Sequence, residues 1–554
     1  MKKMVATLVT AVLCLLPVMF MINSGGAVKE FTSDDILRIK KERHGSKPPT
    51  FGFPDKAMEF YMLMRSYPYG KIPDGWREEA MKHIEANNRM TENTEALAWS
   101  QLGPGNIGGR VRSILINPFN SGIIYAASVS GGVWKTTNRG ASWFPLKDNM
   151  ENLAVCAMTF EGSNTNTIYA GTGEGYYNFD NRRGEGIFKT TDAGNTWLQL
   201  PATKNSSYHY VNKLVFDYNS STLWAATRMG LYKSTNGGSS FTTVFAGQGG
   251  AAIDVMDIDI INTNPKTIFV TTGLFSQSTI YVSRDGGNTF QVSATYSGIG
   301  RMEIAVSQSN TNRVYASGMA LSSGQCGIFL RSTDRGATWT QTDIPGPSYA
   351  GAQTYTNSQG WYNNAIEVHP LDAGTVYAAG IDFWRSTNGG DTWTQLSNWY
   401  EETGAPPYVH ADHHAIVFNP SNSLEIYLGT DGGVYRTVNG GTTWTPLNNN
   451  LFITQFYYGV PDPVGEKYYG GTQDNGTLKS TGDTYWSMIF GGDGGATEVD
   501  YNNPEIVYAE LNGFVFLKST NGGLSFTRAM NGIPKGPGNF DGTTDRTLFI
   551  TPFV

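Results

Sequence analysis

The octapeptide STNGGDTW at residues 386–393 decides the fold, because seven further copies of its pattern recur along the chain. Every copy has Ser or Thr at the first position, Asp or Asn at the third, Gly at the fifth, and Trp or Phe at the eighth. The other copies are TTNRGASW at 136–143, TTDAGNTW at 190–197, STNGGSSF at 234–241, SRDGGNTF at 283–290, STDRGATW at 332–339, TVNGGTTW at 437–444 and STNGGLSF at 519–526, with a worn copy, STGDTYW, at 480–486. Successive copies lie roughly 40 to 54 residues apart, which is typical of propeller blades built from four short strands. The repeat therefore predicts an all-β, multi-bladed propeller.

The chemistry of the repeat explains why it recurs. The side chain at the third position accepts hydrogen bonds from backbone N–H groups of its own turn, and the Gly two residues later permits a positive φ. The aromatic residue then begins the next strand and packs into the sheet. Asp192, Asp285 and Asp334 stand at the third position, so they are predicted to form turns and are not candidates for a functional site.

The pattern Ser/Thr-x-Asp/Asn-x-Gly-x-x-Trp/Phe resembles the Asp-box, or BNR repeat. This repeat occurs in sialidases, in xyloglucan-active glycoside hydrolases with tandem seven-bladed propellers, and in the ten-bladed propeller of sortilin and Vps10-type receptors. The resemblance covers residues 99–554 and implies either a ten-bladed ring or two successive seven-bladed rings, with an incomplete last repeat. It also implies that each box joins strands C and D on one face, so that the B–C and D–A connections lie on the other face.

The first residues of the repeat region predict how the ring closes. Trp99-Ser-Gln-Leu102 resembles the segments that follow the boxes, such as WTQL at 393–396, yet no box precedes it. A propeller ring is commonly closed by a strand from the opposite end of the repeat region. We therefore expect this segment to supply strand D of the last blade.

Residues 1–98 follow a different pattern. Two lysines, an apolar run over residues 5–22 and small residues up to Ala27 predict a secretory signal peptide at 1–27, with a retained membrane anchor as the alternative. Capping and acidic residues before amphipathic stretches predict a short helical segment over 28–98. The protein is thus expected to be secreted or attached to the cell envelope, without stable membrane insertion of the mature chain.

The composition excludes other classes. A formal net charge of −7 and a charged fraction of 16% provide no basic surface for a polyanion, so no nucleic-acid partner is expected. Only Cys156 and Cys326 lie beyond the signal peptide, which is too few for a disulfide framework. No cofactor is predicted.

The segment YVHADHHAIVFNP at 408–420 holds three of the chain's seven histidines and carries the main functional signal. His410 and Asp412 end an expanded D–A loop, and His414 begins the alternation of the strand that follows. Segments of neighbouring repeats are expected on the same face. They supply further candidates: Gln359, Trp361 and Tyr362 in the preceding D–A loop, Asp431, Gln473 and Asp474 in the B–C turns, and Asp493 in the next D–A loop. Carboxylates, imidazoles and aromatic rings on a concave face are typical of a sugar or peptide site, where Trp361 and Tyr362 would stack on sugar rings.

Three interpretations of this cluster stay open. The side chains anchor long loops, or bind a ligand, or include a catalytic pair formed by Asp412 and Asp474. His410, Asp412 and His414 are zinc-ligand types, but on an extended strand they span about 13 Å, so no metal site is predicted without a bend.

The resemblance separates the enzyme families from the binding proteins. Xyloglucan-active hydrolases place a catalytic Asp in the B–C turn of the first blade, where this chain has Ala127-Ser-Val-Ser-Gly-Gly132. Sialidases carry an Arg-Ile-Pro motif, which is absent here, and Arg110 and Arg112 are a partial counterpart of their arginine cluster. Our interpretation is a propeller that binds an extracellular glycan, with hydrolysis of that glycan open. The alternative is a sortilin-like propeller that binds a protein ligand and has no enzymatic activity.

Overall fold

The computed structural model describes residues 100–553, except 147–149, 177–180, 247–252, 347–352, 401–405, 466, 481 and 535–547, together with residues 66, 76, 79–80, 82–83 and 86. Within this part of the chain, thirty-six strands form nine sheets of four antiparallel strands. Each sheet consists of four consecutive strands, which we call A to D in chain order. The predicted all-β architecture of four-stranded blades is therefore confirmed.

The first five sheets span residues 111–341. Their strands are β1 Val111–Ile116, β2 Ile124–Ser128, β3 Gly132–Thr136 and β4 Phe144–Leu146; β5 Val155–Glu161, β6 Asn164–Thr172, β7 Ile187–Thr190 and β8 Leu198–Gln199; β9 Val211–Asp217, β10 Thr222–Thr227, β11 Gly230–Ser234 and β12 Thr242–Phe245; β13 Val255–Ile261, β14 Thr267–Thr272, β15 Ser278–Ser283 and β16 Gln291–Tyr296; β17 Ile299–Val306, β18 Val314–Ala320, β19 Cys326–Ser332 and β20 Thr340–Gln341. Two short 3-10 helices, Pro201–Thr203 and Ser206–Tyr208, follow β8.

The last four sheets span residues 365–528. Their strands are β21 Ala365–Val368, β22 Val376–Ala379, β23 Phe383–Ser386 and β24 Thr394–Gln395; β25 His413–Asn419, β26 Asn422–Thr430, β27 Gly433–Thr437 and β28 Thr445–Pro446; β29 Phe456–Pro461, β30 Tyr468–Thr472, β31 Gly476–Ser480 and β32 Trp486–Phe490; β33 Gly494–Val499, β34 Val507–Leu511, β35 Val515–Ser519 and β36 Thr527–Arg528.

The first seven sheets close into a ring. Their A strands pack on one another in chain order, and β25 of the seventh sheet packs on β1 of the first. A core of Val111, Ile114 and Trp143 from the first sheet with Tyr427 and Leu447 from the seventh seals this junction. The eighth and ninth sheets pack against each other separately through β29 and β33. These contacts show a closed ring of seven blades with two further blades outside it, which a single ten-bladed ring does not fit.

The aromatic residue that ends each box shows the closure directly. Trp444 of the seventh sheet donates its indole N–H to the carbonyl of Leu396 in the sixth, at 3.0 Å. Trp143 of the first sheet makes the same contact with Leu447 of the seventh, at 2.7 Å, across 304 residues of sequence. The first and seventh sheets are therefore neighbours in the same sense as the sixth and seventh.

The start of the repeat region lies between the ring and the eighth sheet. Residues 100–109 form no strand, and the seventh sheet has its own strand D, β28. Leu102 accepts the indole N–H of Trp486 at 2.8 Å, as Leu447 accepts that of Trp143, and Gly105 donates its N–H to the carbonyl of Thr484. The assignment of this segment to strand D of a last blade stays a prediction. The ring closes by side-chain packing because four strands of each sheet are already contiguous in sequence.

The box turns have the predicted hydrogen bonds. In the box at 386–393, Oδ1 of Asn388 accepts the Thr392 N–H at 2.9 Å, and the Gly390 N–H donates to Oγ of Ser386 at 2.8 Å. Gly390 has a φ of 96°. Since the strands of each sheet are antiparallel, the A–B and C–D turns share one face, and the B–C and D–A connections share the other. We call these the box face and the loop face.

The predicted signal peptide at 1–27 and most of the predicted helical segment at 28–98 lie outside the described residues. Isolated described positions between 66 and 86 are helical. Among the residues that the structure places, no helix is long and apolar enough to cross a membrane.

Candidate functional site

A cleft of about 220 Å³ opens where the loop face of the ring meets the eighth and ninth sheets. Its walls come mainly from D–A loops and B–C turns, with Tyr457 from strand β29. The residues that line it are Gln359, Trp361, Tyr362, Asp412, Tyr457, Gln473, Asp474, Asp493 and Phe549. Seven of the ten residues predicted for the site thus lie in one cleft, while Asp431 lies directly behind it and His410 and His414 pack around it.

Asp431 is the charged centre behind the cleft, and it is fully buried. Its Oδ1 accepts hydrogen bonds from Nε of Arg110 at 3.1 Å and from Nε2 of His414 at 2.7 Å. Its Oδ2 accepts the hydroxyl of Tyr362 at 2.5 Å and the amide of Gln473 at 3.2 Å. Burial opposes the charge of Asp431, but Arg110 and His414 hold the pKa of this carboxyl well below its ordinary value.

A second buried carboxylate continues this network across the ring. Glu174, in the B–C connection of the second sheet, accepts Nη1 of Arg110 at 3.0 Å and Nε of Arg112 at 2.7 Å. Nη1 of Arg112 lies 3.2 Å from Nδ1 of His414, so this nitrogen accepts and the opposite nitrogen carries the proton given to Asp431. Burial, and then Arg112, lower the pKa of His414 to about 3, so this histidine is neutral.

Asp412 stands at the cleft wall in a strained backbone conformation, with a φ of 62°. Its Oδ1 accepts the amide of Asn363 at 2.8 Å and also that of Gln359. Burial, and then the charge of Asp431, raise the pKa of Asp412 to about 7. A carboxyl of this kind is able to give or take a proton near neutral pH.

Asp474 has the same strain on the opposite wall, with a φ of 58°. Its backbone N–H donates to Oδ1 of Asp493 at 3.1 Å, and its Oδ2 accepts the amide of Gln473 at 2.5 Å. Burial, and then the charges of Asp493 and Asp431, raise the pKa of Asp474 well above its ordinary value. Asp474 is therefore protonated beside an ionised Asp431.

The three aspartates are mutually close. One carboxyl oxygen each of Asp412, Asp431 and Asp474 lies within 4.8 Å of the other two. Such a spacing suits a shared proton, an acid and base pair, or a cation. All the oxygen atoms of Asp431 are already engaged by Arg110, His414, Tyr362 and Gln473, so the two aspartates that line the cleft are the ones available to a ligand.

The aromatic candidates occupy different positions. Tyr362 is only 6% exposed, and its ring packs on Arg110, Arg112 and His414. Trp361 is half-buried beside Phe275, with ring centroids 6.2 Å apart. Both residues line the cleft, and Trp361 is the more exposed of the two.

His410 connects the ring to the eighth sheet. Its Nε2 lies 3.1 Å from the carbonyl oxygen of Asp474, and its Nδ1 lies 3.1 Å from that of Ala411. The predicted ligand-binding histidines therefore hold backbone and carboxyl groups in place around the cleft.

Sequence reasoning missed four residues of the site. Glu174 and Asn363 hold the carboxyl network, and Tyr457 and Phe549 line the cleft. Glu174 stands in the turn GTGEG one position later than Asp431 stands in GTDGG, so a comparison of the B–C turns that allows for this shift would have found it. Tyr457 and Phe549 have no such signal in the repeat pattern.

The chain is similar to xyloglucanases, although no protein-family model matches it. The xyloglucanase of Hypocrea jecorina (strain QM6a) is 24% identical over 349 residues, which are 55% of this chain and 40% of that protein. The xyloglucanase of Paenibacillus sp is 24% identical over 435 residues, which are 67% of this chain and 41% of that protein. The chain thus spans about two-fifths of the length of these relatives.

Similar solved structures include a GH74 xyloglucanase and YCF48. The GH74 xyloglucanase from Xanthomonas campestris has 14% identity and a TM-score of 0.37, with 81% of this chain and 82% of that chain covered. YCF48 from Cyanidioschyzon merolae has 14% identity and a TM-score of 0.41, with 60% of this chain and 96% of that chain covered.

Proposed function

We propose that this protein binds a glycan in the cleft at the loop face and hydrolyses it with Asp412 and Asp474. The observation that carries the proposal is the joint presence of these carboxyls and the aromatic side chains of Trp361, Tyr457 and Phe549 in one cleft. Aromatic rings stack on the apolar faces of sugars, and carboxyl groups bond their hydroxyl groups.

The backbone of the two aspartates supports the proposal. Both have a positive φ, which costs a non-glycine residue about 1 to 3 kcal/mol and persists where the surroundings hold it. Strain of this kind clusters at functional sites. The names of the curated relatives, which are xyloglucanases, support the same class of ligand.

The charges suggest roles for the pair. Asp474 is protonated and half-buried at the cleft wall, so it suits the general acid that gives a proton to the leaving oxygen of a glycosidic bond. Asp412, with its pKa raised to about 7, suits the partner carboxylate once it has lost its proton. Asp431 stays ionised behind them and stabilises the protonated form of Asp474.

A glycan ligand implies an extracellular site of action. We propose that residues 1–27 direct secretion and that residues 28–98 form a helical segment before the propeller. The apolar run over residues 5–22 supports the first part.

Isothermal titration calorimetry with a panel of β-linked glucan, xyloglucan and xylan oligosaccharides tests binding. We expect saturable binding that weakens about tenfold in Trp361→Ala, because a stacked ring contributes on the order of 1 kcal/mol beyond its buried area. Tyr501→Ala is the matched control, because Tyr501 is 84% exposed and lies on the box face. Trp384→Ala would not serve, because the indole of Trp384 is in the core. Binding that Trp361→Ala leaves unchanged, or binding of peptides with no binding of glycans, would overturn the proposal.

A further inference from the structure

His410 reaches across the boundary between the ring and the eighth sheet. It is buried in the D–A loop before β25, two residues before Asp412. Its Nε2 lies 3.1 Å from the carbonyl oxygen of Asp474, in the B–C turn of the eighth sheet. A Cβ at Gly432 would lie 2.3 Å from the imidazole, so the absence of a side chain there leaves room for the ring. One side chain thus joins the segments that carry the two aspartates of the proposed reaction.

Both ring nitrogens of His410 face acceptors. Nε2 contacts the carbonyl of Asp474, and Nδ1 lies 3.1 Å from the carbonyl oxygen of Ala411, in the peptide that leads into Asp412. A carbonyl oxygen accepts hydrogen bonds and has no proton to give, and a neutral imidazole carries one N–H. The two contacts are therefore both hydrogen bonds when the ring carries two protons, as in the imidazolium ion.

We propose that His410 is an imidazolium at neutral pH and a positioning residue that fixes the spacing of Asp412 and Asp474 by bonding the backbone on both sides of the cleft. This inference rests on the proposed hydrolysis by these aspartates and assigns how the pair is held. His410 acts on the two carboxyls through the backbone of their turns.

The charges around His410 favour the protonated ring. The charged and titratable groups on the segments around it are Arg110, Asp412, His413, Asp431, Asp474 and Asp493, together with Tyr435. Burial lowers the pKa of His413 to about 4, to which the charge of His410 contributes, and burial raises the pKa of Tyr435 well above its ordinary value, so both are neutral. Carboxyls outnumber the arginine in this set, which favours a positive charge on His410.

The turn of Asp474 is also held from the seventh sheet. Nε2 of Gln473 donates to Oδ2 of Asp431 at 3.2 Å, and Nδ2 of Asn475 donates to the carbonyl of Asp431 at 3.1 Å. These bonds fix the residues on either side of Asp474, whereas His410 bonds Asp474 itself from the segment of Asp412. A neutral His410 makes one of its two bonds and turns a lone pair toward the other carbonyl, so this link weakens as the pH rises.

Long-range proton–nitrogen NMR of protein labelled with nitrogen-15 histidine tests the protonation directly, and the signal missing from His410→Gln identifies the residue. At pH 7 we expect both nitrogens of His410 to carry protons, although an unperturbed histidine, with a pKa of about 6.5, is mostly neutral there. His413 and His414 are internal controls, because their pKa values of about 4 and about 3 require one unprotonated nitrogen each. An unprotonated nitrogen on His410 at pH 7 would overturn the inference and leave the proposed function standing.

Variants at position 410 test the positioning role. His410→Phe keeps a ring and removes both donors, so kcat for glycan hydrolysis should fall at least about tenfold while KM changes less than about threefold. His410→Gln keeps a donor for the carbonyl of Asp474 and should recover part of the loss. His369→Gln, in the A–B turn after β21, is the matched control and should change neither constant.

The outcomes separate this inference from the proposed function. Full kcat in His410→Phe would overturn the positioning role. If His410→Phe does not fold, full kcat in His410→Gln would overturn it equally, because an uncharged amide does not replace both bonds of the imidazolium. Absence of hydrolysis by the parent protein would instead overturn the proposed function, and the positioning role with it.

Discussion

Nε of Arg110 lies 3.1 Å from Oδ1 of Asp431, and both side chains are fully buried. Arg110 precedes the first strand of the ring, and Asp431 lies in the B–C turn of the last sheet of that ring. The ion pair thus joins the two ends of the ring at the point where the cleft begins. Nη1 of the same guanidinium lies 3.0 Å from Glu174, so one arginine neutralises carboxylates of two other sheets.

Removal of this guanidinium should destabilise the protein strongly. Arg110→Met leaves Asp431 and Glu174 as buried charges that lack their main partner, so we expect the free energy of unfolding to fall by about 3 to 5 kcal/mol. Urea denaturation at pH 7 measures the change. Arg331→Met is the control. Arg331 forms an ion pair with Asp391 that is also 3.0 Å long, but the Asp391 side chain is 53% exposed, so loss of this pair should cost at most about 1 kcal/mol. Equal losses in the two variants would contradict the role given to Arg110.

The Arg110 pair also shows how far the sequence predicts this site. The boxes fix the strand order, and the strand order places Asp412, Asp431 and Asp474 on one face, so their common location is predictable. The ionisation of these aspartates is not predictable, because it depends on Arg110 and Glu174. These residues lie 321 and 257 positions from Asp431 in the sequence, and ring closure brings them near it in space. Tyr362 shows the same limit: its residue type predicts a stacking platform, but the hydroxyl contact with Asp431 buries it.

The box turns should contribute stability without affecting the cleft. Asn388→Ala removes the bond that Oδ1 of Asn388 accepts from the Thr392 N–H and the bond that its Nδ2 donates to Oγ1 of Thr392, each 2.9 Å long, and we expect a loss of about 1 to 2 kcal/mol in unfolding free energy. Glycan affinity should not change, because the turn lies on the box face. Thermal denaturation and calorimetric titration of the same sample check both statements, and weaker glycan binding by a variant of unchanged stability would disprove them.

Asp382 should make the protein less stable as the pH rises. Burial raises the pKa of this carboxyl to about 8, against about 3.9 in an unfolded chain. Its contribution to stability is therefore fully present below about pH 4 and is lost as the pH rises through about 8. In the parent protein, the amide of Gln395 lies 3.0 Å from Oδ2 of Asp382. Asp382→Asn keeps an acceptor for this amide and removes the titrating carboxyl group. Urea denaturation at pH 5 and pH 8 should show a smaller loss of stability between these pH values in the variant, and an unchanged loss would refute this assignment.

The close approach of Gly108 to Gly432 should be needed for the cleft. A Cβ at Gly108 would lie 2.4 Å from the carbonyl oxygen of Gly432, the residue after Asp431. Gly108→Ala should therefore displace the turn that holds Asp431, lower the unfolding free energy by about 1 to 3 kcal/mol and weaken glycan binding. Gly459→Ala is the control, because its Cβ would meet its nearest atom at 3.8 Å. Similar stability and affinity in both variants would show that this contact is unimportant.

Hydrolysis by the aspartate pair makes a stereochemical prediction. Carboxyl groups about 5 to 5.5 Å apart favour retention of the anomeric configuration, whereas inversion requires about 6.5 to 9.5 Å to admit a water molecule. Oxygens of Asp412 and Asp474 lie within 4.8 Å of each other, which is closer to the spacing for retention than to that for inversion, so we expect retention. Proton NMR of the first products of glycan cleavage reads the configuration directly.

Asp412→Asn and Asp474→Asn should each lower kcat at least about 10³-fold and leave the affinity for glycan within a few fold, since an amide keeps the shape but neither holds nor gives the proton. Asp372→Asn on the box face should keep full activity. Inverted products would show that another carboxyl acts with one of the pair, and full activity in either cleft variant would remove that aspartate from the reaction.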